Sequence, residues 1–312
     1  MNYFTHHWTF DPMIIAVAIT VVAHEIGLSR LAARSSAART RRRRLKSLAF
    51  YGGLAMLVLT VVSPLDYWAS SYFFVHMLEH IFLALFVPAL IVIGAPWIPL
   101  LFALPVGPRR RVGKFFYLNS KVGWLRAIGR FFRNPWFALI SFNGVMLLWH
   151  NPTMFELSER NQLVHVWLMH GSFIVTGTLF WLQIIPSYPL KPMKGPVWQA
   201  GSVLSSNIVM TMLAISMSIL TKVSWYPSYS NIPGVTLSPF ADQQIGAAIL
   251  WVCGDFWAGP ALALVIRRAV RSEDSVGDLI DRLTGRGASP TIEEFRASDR
   301  LADVDGGDES AL

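Results

Sequence analysis

The chain is 312 residues long, and 53% of these residues are hydrophobic, 13% aromatic and only 15% charged. A composition this apolar excludes an ordinary soluble domain, and several runs of about 20 apolar residues predict a polytopic helical membrane protein. The net charge of +8 does not indicate nucleic-acid binding, because the basic residues are confined to a few connecting segments where they report membrane orientation. The single Cys253 excludes a disulfide framework and any CxxC metal or redox site.

Seven apolar segments are expected to cross the membrane, so the predicted fold class is an all-α bundle of seven transmembrane helices. In chain order the segments are residues 12–31, 48–63, 72–99, 136–150, 163–185, 197–220 and 242–265. Residues 1–266 are therefore predicted to form one transmembrane domain. Residues 267–312 hold eleven acidic and seven basic residues with few apolar ones, which predicts a soluble, partly disordered tail. The first eleven residues lack a basic n-region, so no cleavable signal peptide is predicted.

The distribution of Lys and Arg predicts the orientation of the spans. Of the 27 basic residues, 25 lie in four segments, namely residues 30–46, 109–133, 191–194 and the tail from 267 onward. The opposite side holds only Arg160 and Lys222. Because positively charged loops stay in the cytoplasm, the N-terminus is predicted outside and the C-terminus in the cytoplasm.

Two of the basic segments are expected to contact membrane lipid. The run that contains Arg41 to Arg44 is interpreted as a cytoplasmic anchor with no second function. Residues 107–135 combine eight basic residues with interleaved aromatic side chains and no acidic residue. This pattern predicts an amphipathic stretch lying in the interface against anionic lipid.

Three ionisable side chains occur together at the start of the third apolar segment. His76 and His80 are four residues apart, so on a helix both rings leave the same face with Cβ atoms roughly 6 Å apart, which is metal-ligand spacing. Glu79 lies on nearly the same side, where a carboxylate can fix an imidazole tautomer, accept a proton or ligate directly. An ionisable residue in a membrane span is costly unless it is paired and is therefore a candidate functional residue. A single buried histidine is as readily explained by a hydrogen bond to a neighbouring helix, but this pair is not.

Three further histidines are predicted in the same outer half of the membrane. In the topology above, His150 ends the fourth span at the outer surface, His165 begins the fifth, and His170 lies roughly 7 Å deeper. His76, His150 and His165 would form an upper layer, with His80 and His170 below them. On an ideal α-helix, His165 and His170 point about 140° apart and so would not serve one ion. The pattern predicts either two metal sites or one site with a supporting histidine.

The ligand type does not choose the metal, because imidazole suits copper, zinc, iron and nickel. Met77, Met169 and Met217 lie in the same half of the membrane and would favour Cu(I), although methionine in an apolar span is more often a gap-filler. Asp242 opens the seventh span, where it either caps a helix or holds a ligand histidine.

Other polar residues lie away from this cluster. His24 and Glu25 in the first span are interpreted as a separate polar contact, and Asp255 in the seventh span needs a partner. The sequence contains no nucleophile triad and no phosphate-cradling glycine loop, so enzymatic hydrolysis and phosphoryl transfer are not predicted.

Several short motifs follow one another along residues 48–265. They are His76-Met77-Leu78-Glu79-His80, Gly94-Ala95-Pro96, Trp149-His150-Asn151-Pro152, His165 to His170 leading to Phe180-Trp181, and Ser238-Pro239-Phe240-Ala241-Asp242-Gln243-Gln244 before a span with Trp251. In this order they resemble the membrane-integral cytochrome c oxidase assembly factors of the CtaG type. The first span and the residues after Arg267 do not contribute to the resemblance.

The resemblance implies a seven-helix, multi-pass protein of the bacterial plasma membrane that is not an enzyme and is needed to mature a haem-copper oxidase, through its copper centre. The resulting hypothesis is a copper-binding metallochaperone that delivers the ion from the periplasmic face to an oxidase subunit. The ligands would be His76, His80, His150, His165 and His170, supported by Glu79 and Asp242.

Three alternatives remain at this point. His80 and His170 could be axial ligands of a b-type haem, since their depths match. A metal transporter would need polar groups continuing across the membrane, for which His24, Glu25 and Asp255 offer only a sparse path. A scaffold in which the histidines are merely hydrogen-bonded is the third alternative.

Overall fold

The computed structural model describes Trp8 and residues 13–118 and 123–271, and this part of the chain is helical without strands. The predicted all-α class is therefore confirmed. In chain order the α-helices are α1 Met13–Ala32, α2 Ala37–Val62, α3 Pro64–Ala69, α4 Phe73–Ile81, α5 Val87–Gly94, α6 Trp97–Ala103, α7 Val106–Leu118, α8 Gly123–Phe132, α9 Pro135–His150, α10 Pro152–Arg160, α11 Gly171–Ile184, α12 Pro196–Ser218 and α13 Pro239–Arg271. Two π-helices, Phe82–Phe86 and Val164–His170, continue into the helices that follow them.

Five helical segments are long and apolar enough to cross a membrane, which makes this a multi-pass membrane protein. They are Met13–Ala32, Ala37–Val62, Phe73–Gly94, Pro196–Ser218 and Pro239–Val270. The predicted fourth and fifth spans correspond to α9, which has only 16 residues, and to the π-helix joined to α11. Crossing by these two segments, and hence the count of seven and the orientation of the termini, stays a prediction.

The third span is interrupted by a π-helix because of a proline. Pro88 has no N–H to donate to the carbonyl of Ala84, and its ring would crowd that carbonyl in a regular α-helix. The chain widens into the π-helix Phe82–Phe86 just before this point. Gly177 of α11 packs directly on the widened turn, since a Cβ at this position would lie 2.3 Å from the Ala84 carbonyl oxygen.

Short capped helices close one end of the bundle. Asn151 ends α9 and caps α10 by accepting a hydrogen bond from the backbone N–H of Thr153 at 3.0 Å, with Pro152 in the first helical position. Ser63 and Pro64 start α3 in the same way. These tight connections bring α3, α10 and the loop before α13 close to the beginning of α4.

The opposite end is held by close helix contacts and a polar group. Gly27 of α1 lies against the backbone of Pro99, and Gly94 lies against Phe50 of α2. The predicted contact of His24 and Glu25 is completed by Tyr51, whose hydroxyl donates to the Glu25 carboxylate and lies 2.7 Å from His24 Nδ1.

The chain divides into two compact units, Met1–Leu262 and Ala263–Leu312. Helix α13 continues through Arg271. The tail predicted for residues 267–312 lies outside the described residues from 272 onward.

Candidate metal centre

The five predicted histidines lie together in one cluster. His76 and His80 of α4 face each other with their Nε2 atoms 2.7 Å apart. His165 lies beside His76 with a ring-centroid distance of 5.1 Å, and His150 lies 5.7 Å from His80. Four of the five are buried, and His165 is 17% exposed. Convergence from three separate helical segments on one point is the arrangement that a polar or metal site in a helical bundle requires.

The expected divergence of His165 and His170 is wrong, because the segment between them is not an ideal α-helix. Both residues belong to the π-helix Val164–His170, in which the wider turn places residues five apart on one face. Their ring centroids lie only 4.6 Å apart, and His170 also lies 6.3 Å from His80. The two rings therefore face the same cluster, and the predicted upper and lower layers merge.

Tyr229 determines which nitrogen of His76 carries the proton. The Tyr229 hydroxyl donates to the carbonyl of Ala69 at 2.9 Å, so it accepts from His76 Nδ1, also at 2.9 Å. The Nε2 lone pair of neutral His76 is then directed at His80. Burial raises the pKa of the Tyr229 phenol well above its ordinary value, so the hydroxyl stays protonated at physiological pH.

The protonation of the His80 ring follows from that of His76. Its Nε2–H donates to His76, and its Nδ1 then carries a lone pair. That Nδ1 is buried and has no hydrogen-bond partner within the described structure. A phenol from the loop before α13 thus sets the tautomer of His76 directly and that of His80 through His76.

Two glutamates lie next to the histidines of the cluster. Glu159, near the end of α10, has its Oε1 3.3 Å from His165 Nδ1 and 3.5 Å from His76 Nδ1. Glu79 is fully buried, and its Oε1 lies 3.7 Å from Nε2 of His170. Neither Glu79 oxygen has a hydrogen-bond partner among the described residues.

His150 presents a lone pair to a thioether. Its Nδ1–H donates to the carbonyl of Met146 at 2.7 Å, so neutral His150 has its lone pair on Nε2. That Nε2 lies 3.2 Å from the sulfur of Met77. Met169 and Met217 are also fully buried. A nitrogen and a soft sulfur thus lie side by side at the edge of the cluster.

Asp242 supports the site through the backbone. Its carboxylate accepts hydrogen bonds from the N–H groups of Phe73 at 2.7 Å and Phe74 at 2.9 Å. These N–H groups open α4, and Tyr72, which precedes them, caps the helix with no side-chain bond. Asp242 therefore caps the helix that carries His76 and His80, instead of contacting a histidine ring.

The donor set fits a metal ion. Ligand atoms of His76, Glu159 and His165 lie within 4.8 Å of one another, and so do those of Glu79, His165 and His170. Metal–nitrogen bonds of about 2.0–2.1 Å bring two ligands of one ion within about 4 Å, so small side-chain movements suffice. Unsatisfied buried polar atoms are costly in a protein interior, and here they belong to Glu79, His80, Glu159 and His170.

Glu159 and Tyr229 were missed as site residues by the sequence reasoning. Glu159 belongs to the connection between two histidine-bearing spans, and its position on the outer side was the available signal. Tyr229 lies in a Ser- and Pro-rich loop whose path cannot be read from periodicity.

The sequence profile of the family described as cytochrome c oxidase caa3 assembly factor (Caa3_CtaG) matches residues 24–272. The chain therefore belongs to this family, and the resemblance drawn from the motifs is confirmed. The matched range includes all five histidines of the cluster together with Glu79, Glu159 and Asp242.

The chain is also similar to larger mycobacterial proteins. It is 27% identical over 282 residues to an uncharacterised protein of Mycobacterium bovis, which covers 88% of this chain and 41% of that protein, and a Mycobacterium tuberculosis protein gives the same values. An uncharacterised Mycobacterium leprae protein is 28% identical over 251 residues, which is 78% of this chain and 36% of that protein. The chain thus spans less than half the length of these relatives. No solved structure matches the chain.

Proposed function

We propose that this protein binds copper at the histidine cluster and delivers it to a haem-copper oxidase during assembly, in the plasma membrane. The observation that carries the proposal is the convergence of five histidines and two glutamates at which buried ligand atoms lack hydrogen-bond partners. Family membership supports a haem-copper oxidase as the recipient. The ligand types in the cluster support a metal ion as the cargo.

The exposure of the ligands suits loading and release. His76, His80 and His170 are buried, whereas His165 and Glu159 have side chains that are 17% and 13% exposed. Copper would reach the buried ligands through these two residues, which share a contact at 3.3 Å. Glu159 would balance the charge of the cation, and Tyr229 would keep His76 in the ligating tautomer.

We assign copper and not zinc as the bound metal because of the thioether sulfur beside His150. A thioether is a soft ligand that favours Cu(I), whereas structural zinc sites use thiolate, imidazole and carboxylate. Met77 lies 3.2 Å from His150 Nε2, where both could contact one ion. The combination of imidazoles with an adjacent methionine supports Cu(I) as the cargo.

The proposal is tested by metal analysis of the full chain purified in detergent. The variant His76→Ala/His80→Ala should lose the bound copper that the unsubstituted protein retains, because two central ligands are gone. His24→Ala is the matched control, since His24 is also fully buried but belongs to the polar contact with Tyr51. Full copper content in the double variant would contradict the proposal.

A visible spectrum of the same samples distinguishes copper binding from the alternative of a b-type haem. Haem bands lost on substitution of His80 or His170 would replace copper delivery by electron transfer. The geometry favours copper, because His76 lies 2.7 Å from His80 and Phe173 packs on the His80 ring with centroids 4.7 Å apart. Little room is left beside His80 for a macrocycle.

Measuring copper uptake into proteoliposomes distinguishes copper delivery from the alternative of metal transport. Asp255, which the sequence leaves without a partner, is hydrogen-bonded to Asn207 at 3.2 Å, and Glu25 is bonded to Tyr51. Asp255 and Glu25 thus each have a local hydrogen-bond partner. We therefore expect copper to bind without crossing the membrane.

A further inference from the structure

A second charged site lies at the end of the bundle opposite the histidine cluster. A cleft of about 290 Å³ opens between α2 and the junction of α5 with α6. Four basic side chains from α2 line it, and they are Arg39, Arg42, Arg43 and Lys46. The floor is formed by apolar groups of Gly94, Ala95, Ile98 and Pro99.

The spacing of the four basic residues explains how they reach one cleft. They occupy positions i, i+3, i+4 and i+7 of α2, which form a single helix face. Like charges at these spacings repel each other. The first turn of α2 has no acidic residue, and cations near a helix N-terminus are unfavourable against the helix dipole. The face is therefore strained electrostatically unless an anion joins it.

Among the residues that the structure describes, no carboxylate supplies that anion. Within the described residues, none of the four side chains forms an ion pair, and Arg43 donates a hydrogen bond to the Ser35 hydroxyl at 2.7 Å. Arg39 and Arg42 are exposed, and Lys46 is half-buried. Their donors are available to a ligand.

The backbone at the floor is also unusual. Ala95 ends α5 with φ of 50°, a left-handed conformation that is unfavourable for a non-glycine residue. This bend turns the chain sharply into α6, so that Ile98 and Pro99 face the basic side of α2. The cleft thus combines an apolar floor with basic side chains.

We propose that this cleft binds the phosphate group of an anionic phospholipid. Arg39, Arg42, Arg43 and Lys46 would contact the phosphate, and the apolar floor would contact the glycerol and the first acyl carbons. The apolar floor favours a lipid over free inorganic phosphate, because a small hydrated anion gains nothing from Ile98 and Pro99. The basic run, first interpreted only as an anchor, would then have a specific ligand.

The experiment compares lipid binding by the full chain and two matched variants. Purified protein is titrated with phosphatidylglycerol, phosphatidylcholine or inorganic phosphate, and binding is followed by native mass spectrometry and by the rise in melting temperature. Arg39→Gln/Arg42→Gln removes two charges from the cleft. Arg41→Gln/Arg44→Gln removes the same charge from residues that line a different cleft with Glu25 and Tyr51.

The expected result is tighter binding of phosphatidylglycerol than of phosphatidylcholine, weakened about tenfold or more by Arg39→Gln/Arg42→Gln and much less by the control pair. Equal weakening by both pairs would overturn the proposal in favour of a diffuse basic surface. Saturation by inorganic phosphate, with no further gain from lipid, would overturn the lipid assignment. Neither result bears on copper, because no histidine of the cluster is changed.

Discussion

At the scale of single residues, the site is organised by a phenol from a distant loop. Tyr229 is 153 positions from His76 in sequence, yet its hydroxyl accepts a hydrogen bond from His76 Nδ1–H and donates one to the carbonyl of Ala69. These two hydrogen bonds fix the rotamer and tautomer of His76. This preorganisation is the usual role of groups that contact metal ligands.

Tyr229→Phe should therefore weaken copper binding about 10- to 100-fold while the protein stays folded. The buried N–H of His76 would lose its acceptor, and the ring could adopt the other tautomer. The measurement is a competition titration with a copper chelator. Tyr226→Phe is the control, because Tyr226 is equally buried but donates to the backbone carbonyl of His150 at 2.9 Å. Equal losses in both variants would mean that the hydroxyl of Tyr229 is only structural.

The histidines could be predicted from the sequence, but two of their partners could not. Spacing of four residues on a helix and a common depth were sufficient for His76, His80 and His150. Glu159 and Tyr229 come from connections, where side-chain direction depends on tertiary packing and not on a helical period. Their contacts with the histidines become visible only in the three-dimensional structure.

At the scale of elements, two π-helices shape the site and its support. His165 and His170 are five residues apart, so in an α-helix their side chains would point in different directions. In the π-helix that the structure contains, both rings face the same cluster. Sequence periodicity assumes 3.6 residues per turn, so it cannot detect a single wide turn. The other π-helix, Phe82–Phe86, lies just before Pro88, and the missing N–H of this proline accounts for it.

Gly177→Ala should destabilise the bundle by about 1–3 kcal/mol, because overpacking forces the backbone to move. Its added Cβ would meet the Ala84 carbonyl oxygen at 2.3 Å and Pro88 at 2.9 Å. The measurement is the thermal unfolding temperature in detergent. Gly144→Ala in α9 is the control, since a Cβ there meets nothing within 4 Å and alanine favours a helix. An unchanged melting temperature for Gly177→Ala would contradict the close packing of α11 on the π-helix.

Asp242→Ala should cost about 0.5–2 kcal/mol of stability, the usual effect of losing an N-terminal cap. Two backbone N–H groups at the start of α4 would lose their acceptor. Asp242→Asn should lose less, because an amide oxygen can still accept one of these bonds. Copper affinity, measured alongside unfolding, should fall less than in Tyr229→Phe. A larger effect on affinity would mean that Asp242 acts on the histidines directly.

At the scale of the whole molecule, the apolar segments account for the five long helices, and the charge asymmetry predicts their orientation. The five long helices were all among the predicted spans. The other two segments differ in length and regularity: α9 has 16 residues, which gives about 24 Å against a hydrocarbon core of about 30 Å. Even so, α9 exposes Trp136, Ile140, Leu147 and Leu148, and the neighbouring segment exposes Leu163, Trp167 and Val175. Large exposed apolar side chains on both segments favour contact with lipid.

The position of residue 162 decides between seven spans and five. If α9 and the segment through α11 both cross, Gln162 lies outside, whereas if neither crosses it lies on the same side as Lys194. Cysteine is introduced singly at Gln162, Lys194, Ser230 or Ser310 in a Cys253→Ser background, and intact cells are treated with an impermeant maleimide. We expect labelling at 162 and 230 in intact cells, and at 194 and 310 only after permeabilisation. Labelling of 230 but not 162 would place the cluster's π-helix in a re-entrant segment, so that copper would have to enter from a different direction.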